Sequence, residues 1–174
     1  MSRKAAVIYI PGLGDDKPRG QNLALNLFKL AGIKPNYFTI GWKDKDTYRN
    51  KLKELDELIA EIYKTRSVHL FAASAGASAA INSFSRNLDK VGSVSLACGK
   101  IRNINKIHSD YYVKNPNFKA SVEMLESSLD KLSSTSRAKI LSIRPQKDSV
   151  VPPRDTIIEG AKNLKSFTFG HTST

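Results

Sequence analysis

Ser74 sits where the chain changes character. From Val68 to Ala72 the residues are mostly apolar, the next few are small, and Ala-rich helix formers follow to Ile81. This pattern predicts a buried strand, an abrupt turn carrying the serine, and a helix packed back on the strand it has just left. Ala72-Ala73-Ser74-Ala75-Gly76 reads A-x-S-x-G, one small substitution from the G-x-S-x-G turn that presents a serine for nucleophilic attack. Such a turn needs small residues two positions either side of the serine, because the two backbones nearly touch there. Ala72 and Gly76 meet that need. Alone, an alanine-rich turn of this kind is more often packing than chemistry. Chemistry requires a base, an acid that orients it, and donors for a developing oxyanion.

The elements that must position those groups follow from periodicity. Ala5–Ile10 is a continuous apolar run, read as a parallel strand buried on both faces. It ends at Pro11-Gly12-Leu13-Gly14-Asp15-Asp16. A helix is expected over 20–31, with Leu23, Leu27 and Leu30 on one face and Gly32 as its stop. Residues 35–40 form the next strand, closed by Gly41-Trp42. Asp46 is the expected N-cap of a helix to about Lys64, whose apolar face is Tyr48, Leu52, Leu55, Ile59 and Ile62. After the serine turn comes a strand over 92–97, then an irregular segment at 100–117. Pro116 opens a helix with Phe118, Val122, Leu125, Leu129 and Leu132 on one face. Residues 133–137 break it, 138–143 form a strand, 155–163 a short helix and 166–169 a last strand. Strand and helix alternate without hairpin signals. The expected fold is α/β, a three-layer αβα sandwich with a mostly or wholly parallel sheet of about six strands, forming one domain over 1–174.

In such sheets chemistry collects at the carboxyl ends of the strands. The residues just past those ends are Gly12-Leu13-Gly14, Ser74, Arg144 to Pro152, and Gly170-His171. A serine, an acid (Asp148) and a histidine (His171) therefore occur in that order, each on its own loop at one sheet edge. Taken singly, each has a plainer reading: Asp148 as a loop acid or turn cap, Gly12 and Gly14 as turn glycines, His171 as a frayed surface residue. His69 lies within a strand and is expected to be buried, and His108 sits in the irregular segment. Cys98 reads as a small buried thiol. Asp15 and Asp16 could meet a cation or cap the first helix, and capping is favoured.

Together these features resemble the α/β-hydrolase superfamily, and within it the small, cap-poor serine hydrolases of the retinoblastoma-binding-protein-9 type. Pro11-Gly12-Leu13-Gly14 is similar to the His-Gly-x-Gly oxyanion loop and Ala72–Gly76 to the nucleophile elbow. Asp148-Ser149-Val150-Val151-Pro152 is similar to the acid loop, and Gly170-His171 to the histidine loop. The resemblance implies a Ser74–Asp148–His171 triad in the family's chain order, with the backbone N–H groups of Leu13 and Ala75 as oxyanion donors. It implies an acyl-enzyme on Ser74 and hydrolysis of a small ester or thioester with no metal or organic cofactor. Residues 100–117 would form a small lid, and Gly12, Trp42, Tyr111 and Tyr112 would line the substrate space. The basic lid residues Lys100, Arg102, Lys106 and Lys114 would favour acidic substrates.

Three departures from the family pattern stand out. Ala72 replaces the first elbow glycine and Pro11 replaces the usual histidine. No helix follows His171, so one flank of the sheet is expected to be thinly covered. A partner subunit in a homodimer, a minimal version of the fold, and an imperfectly held His171 all remain open. An exposed apolar flank is a hazard that a dimer would remove.

Bulk composition sets further bounds. Lys and Arg total 28 against 16 acids, a net charge of +12, which raises the prior for a polyanion partner. The basic residues are dispersed, however, and a lysine-rich solvated surface is favoured over nucleic-acid binding. The rival of the enzyme reading is a hydrolase-fold protein that binds a partner or polyanion with little catalysis. The single cysteine excludes an internal disulfide framework and suggests a reducing compartment, by default the cytoplasm. Residues 5–10 are too short an apolar run for a membrane span and are expected to be a strand rather than a signal.

Overall fold

The computed structural model describes residues 3–15, 28–30 and 32–167. Its core is a six-stranded, all-parallel sheet in the order β2-β1-β3-β4-β5-β6. The strands are β1 (Ala5–Ile10), β2 (Asn36–Tyr37), β3 (Ser67–Ala73), β4 (Val91–Ala97), β5 (Ile140–Arg144) and β6 (Lys162–Lys165). The helices are α1 (Tyr48–Tyr63), α2 (Gly76–Phe84), α3 (Ser109–Lys114), α4 (Pro116–Glu123), α5 (Leu125–Asp130) and α6 (Ser134–Arg137).

Side chains alternate across each strand. Ile8 and Ile10 share one sheet face with Val68, Leu70 and Ala72, all buried, and α1 and α2 cover it. On the other face Tyr9 and Phe71 form an aromatic cluster with Phe28. That face of β3 is only half-buried, and there Nδ1 of His69 pairs with Oγ of Ser93 at 2.8 Å, so His69 is not the buried residue expected. Every residue of α2 is buried. Its small, apolar composition all round suits a helix enclosed on every side.

Several expected boundaries move. The strand at 35–40 pairs only over Asn36–Tyr37, because Gly41 turns left-handed (φ 64°) and its amide is claimed by the Asp15 carboxylate at 2.8 Å. Thr47, not Asp46, caps α1, accepting from the Asn50 amide. Asp46 instead accepts from the Thr47 amide and the Asn50 side chain. The helix opened by Pro116 is interrupted at Met124, although Phe118, Val122, Leu125 and Leu132 all reach the core. Residues 134–137, expected to be a break, form α6 under a Ser133 cap. The expected helix at 155–163 is only a 3-10 turn, Pro153–Thr156. Gly160 (φ 75°) forbids its continuation, and Asn163 ties the chain back to both N and O of Ile158. The last strand among the described residues lies at Lys162–Lys165; of the strand expected over 166–169, residues 168 and 169 lie outside the described residues. Of the helix expected over 20–31, residues 28–30 are helical, and Leu23 and Leu27 lie outside the described residues. Among the described residues, no helix is long and apolar enough to cross a membrane.

Polar contacts lock α1 to α2. The Asp56 carboxylate accepts from Ser83 Oγ (2.7 Å), Arg86 Nε (2.6 Å) and Asn87 Nδ2 (2.8 Å). Ser83 and Asn87 are buried, so removing the acceptor leaves donors that water reaches poorly. Asp56→Ala is expected to cost about 2–3 kcal/mol, lowering the urea midpoint with an unchanged slope. A midpoint equal to the parent's would show that Asp56 is not the fastening point.

Candidate active site

The serine turn is built by close backbone approach. A Cβ on Gly76 would lie 2.4 Å from the Ile10 carbonyl oxygen and 2.7 Å from that of Pro11, so only glycine lets α2 start this near β1. The chain must turn sharply to get there, and Ser74 takes a left-handed conformation at φ 51°. A non-glycine residue in that region stores about 1–3 kcal/mol of strain and persists only where its surroundings over-determine it. Here the Ser74 amide donates to the Ala97 carbonyl of β4 at 2.8 Å, and its own carbonyl accepts from the Ala77 amide at 3.1 Å. Ala75 occupies the N-cap position of α2, where backbone N–H groups have no acceptor within the helix.

The loop after β1 lies directly against this turn. A Cβ at Gly12 would be 2.9 Å from Ser74 Cβ and 3.4 Å from its Oγ. The structure thus brings Gly12 and Ser74 into contact. Behind the loop, Trp42 Nε1 donates to the Gly12 carbonyl at 2.9 Å. Trp42 is fully buried, with its ring edge-on to Phe118. Its place is that of a brace beneath the loop, where the family resemblance would have it line the substrate space. Asn117 extends the brace, donating its amide N–H to the Trp42 carbonyl and its side-chain amide to the carbonyls of Gly41 and Asp46. The base of α4 is pinned to α2 by Ser121 Oγ, 2.7 Å from Ser78 Oγ.

Asp148 lies past β5, and Ser74 past β3, with β4 between them. Since all strands are parallel, both loops rise from one sheet edge. The Asp148 carboxylate accepts from the amides of Val150 (2.8 Å) and Val151 (2.9 Å), which closes its loop into a compact turn. His171, Gly170 and Asp16 lie outside the described residues. Leu13 is half-buried against the core. Tyr111 is exposed, whereas Tyr112 packs on Phe118 and donates its hydroxyl to the Ile104 carbonyl at 3.1 Å. His108 caps α3.

Lys100, one of the basic lid residues, is held in an ion pair. Its ammonium sits 2.6 Å from the Asp155 carboxylate, and the two side chains are 12% and 3% exposed. Asn103 Nδ2 donates to the other carboxylate oxygen at 2.6 Å. Asp155 had no signal in the sequence beyond a helix start, because nothing local announces a partner 55 residues away. Burial opposes ionisation of its carboxyl, but donation from Lys100 and Asn103 prevails and holds it below the usual carboxylate range. A cleft of about 570 Å³ lies between residues 101–105, α5 and residues 157–159, and neither Ser74 nor Asp148 lines it. Among the described residues no His, Cys, Asp and Glu side chains group in a way that could hold a metal ion.

No family model matches the chain, and no curated protein matches it in sequence. Solved structures do. A structure described under the metagenome-derived lipolytic enzymes LipS and LipT gives a TM-score of 0.66 at 13% identity over 99% of this chain and 87% of the other. Est1E from Butyrivibrio proteoclasticus gives 0.68 at 12% identity, over 99% and 81%. MGS-MChE2, an alpha/beta hydrolase enzyme from a sediment metagenome of the Mar Chica lagoon, Morocco, gives 0.62 at 16% identity, over 98% and 84%.

Two measurements test this arrangement. Gly76→Ala forces a methyl group onto fixed backbone oxygens and is expected to destabilise by about 1–3 kcal/mol, seen as a lower thermal midpoint; an unchanged midpoint would contradict the close approach. Because the folded-state pKa of Asp155 is lowered, its ionisation supplies stability above the ordinary carboxylate range, lost as pH falls through the folded value. The stability gap between the parent and Asp155→Asn should therefore be full at pH 7 and shrink towards pH 2; a gap that grows on acidification would reverse the assignment. The strand order, the flanking helices and these structural likenesses together establish that this chain has the α/β-hydrolase fold.

Proposed function

We propose that this protein is a small serine hydrolase of the cap-poor type, cleaving an ester or thioester bond through an acyl-enzyme on Ser74. The observation that carries the reading is the left-handed Ser74 (φ 51°) at a strand-to-helix turn, with Gly12 against its side chain. Strain of this kind needs a reason, and exposing a nucleophile at a sheet edge is one. The descriptions of structural neighbours as lipolytic enzymes and as an alpha/beta hydrolase enzyme point the same way.

In this scheme His171 removes the Ser74 proton as Oγ attacks the substrate carbonyl carbon. Asp148 accepts the other ring N–H, sets the tautomer and stabilises the imidazolium. The carbonyl oxygen becomes an oxyanion, held by the N–H groups of Leu13 and Ala75, each worth about 2.7–4 kcal/mol in comparable sites. The start of α2 adds a favourable dipole. The tetrahedral intermediate collapses, His171 hands its proton to the leaving alcohol or thiol, and the acyl group stays on Ser74. Water, deprotonated by the same histidine, then releases the acid. Residues 100–117 act as a short lid, with Tyr111 at its exposed surface. No metal or organic cofactor enters the scheme. Of the basic residues expected to favour acidic substrates, Arg102, Lys106 and Lys114 remain for that role, since Lys100 is paired.

A fluorophosphonate probe should label the parent protein at Ser74. Labelling should vanish in Ser74→Ala, and aryl-ester turnover should fall by about 10⁴ in Asp148→Asn, with a comparable loss in His171→Ala. An aryl-ester series of increasing acyl length then ranks substrates. Labelling that survives Ser74→Ala would overturn the site. No labelling, with salt-sensitive retention on nucleic acid, would favour the binding-protein reading that the net charge of +12 supports.

A further inference from the structure

Asp155 does more than close a buried ion pair. Besides Lys100 and Asn103 on its carboxylate, its main-chain carbonyl accepts from the amides of both Ile101 and Arg102 at 2.8 Å. One residue thus collects four hydrogen bonds from four consecutive positions, 100 to 103. That segment is the one that leaves β4 beside the serine turn. A Cβ on Gly99 would fall 2.4 Å from Ala77 Cβ and 3.8 Å from the Ser74 carbonyl oxygen. Left-handed residues bracket the segment: Cys98 (φ 54°) precedes it and Asn103 (φ 52°) is its last residue.

The other end of the contact is the loop that carries Asp148. Asp155 lies in the 3-10 turn Pro153–Thr156 that terminates that loop, and its amide donates to the Pro152 carbonyl at 2.8 Å. Thr156, next in sequence, accepts through its carbonyl from Ser142 Oγ of β5 at 2.7 Å. The turn is therefore anchored to the sheet, and through Asp155 it holds the segment beside Ser74.

We propose that the Asp155–Lys100–Asn103 clasp is a positioning device. It sets the Asp148 loop and the Gly99–Asn103 segment at one fixed spacing around Ser74. The inference rests on the serine-hydrolase reading. A pair needed only for stability has no cause to gather four consecutive residues, the last of them left-handed, onto one carboxylate and its carbonyl. A positioning pair has such a cause, because misplacement by about 1 Å can cost two orders of magnitude in rate.

The test uses the full chain with Asp155→Asn and Lys100→Met, singly and together, and Asn103→Gly. The last deletes one side-chain bond while relieving the left-handed strain, so it remains informative if the buried-pair variants fold poorly. Aryl-ester kinetics and the rate of fluorophosphonate labelling at Ser74 are measured well below each variant's thermal midpoint. Each buried-pair single variant should lose about 10-fold in kcat and labelling rate with KM within about twofold, and Asn103→Gly about threefold. The double variant should lose no more than the worse single, since the pair acts as a unit. Unchanged labelling rates with lowered thermal midpoints would reduce the clasp to a stabilising pair and overturn the inference alone. Multiplicative losses in the double variant would also overturn it. A parent protein that never labels would remove the hydrolase reading and this inference with it.

Discussion

The close approach of α2 to β1 is the constraint on which the rest of this molecule depends. Because Gly76 rests on the carbonyls of Ile10 and Pro11, the turn between β3 and α2 must be tight. Ser74 makes that turn by going left-handed. The same contact draws the loop after β1 over the serine, since Pro11 and Gly12 continue directly from the carbonyls that Gly76 touches. A small helix follows as a necessity: α2 is enclosed on all sides, and larger residues along it would push it off the sheet. Interiors packed at crystal density transmit such displacements instead of absorbing them.

Two supports flank the turn, and they differ in kind. On the Gly12 side the support is neutral. Trp42, Asn117 and the start of α4 pass hydrogen bonds from one carbonyl to the next, inside an aromatic packet with Phe118. On the Asp148 side the support is ionic, through Lys100 and Asp155. A buried ion pair is a poor source of net stability, since desolvation consumes much of its attraction. It is a good source of uniqueness when extra donors satisfy the carboxylate, as Asn103 does here, because no slipped arrangement meets every polar demand.

What the sequence made legible follows the range of the interactions. The alternation of elements, the serine turn and the face of α1 rest on local periodicity and small-residue spacing, and the structure has them. The small residues around Ser74 were readable because the turn's demands fall within five positions. The boundaries that moved were decided by contacts across the chain. Asp15 reaches Gly41 and shortens β2; Gly160 and Asn163 replace a helix with a turn. The surroundings of Trp42 and Lys100 are set over the same long range. An indole and an ammonium look like surface chemistry in a sequence, and only the fold shows a carbonyl or carboxylate waiting for each. His171 lies outside the described residues, so its place in the triad stays with the proposal.

The edge strand shows how the fold manages the flank that the sequence left in question. β6 reads Lys-Asn-Leu-Lys with every residue exposed. Lysines along a sheet edge oppose pairing with another strand, because bringing two such edges together buries like charges. A lysine-bearing edge therefore argues against dimerisation by strand addition at β6. Two of the lysines behind the net charge of +12, Lys162 and Lys165, thus stand where they oppose strand pairing.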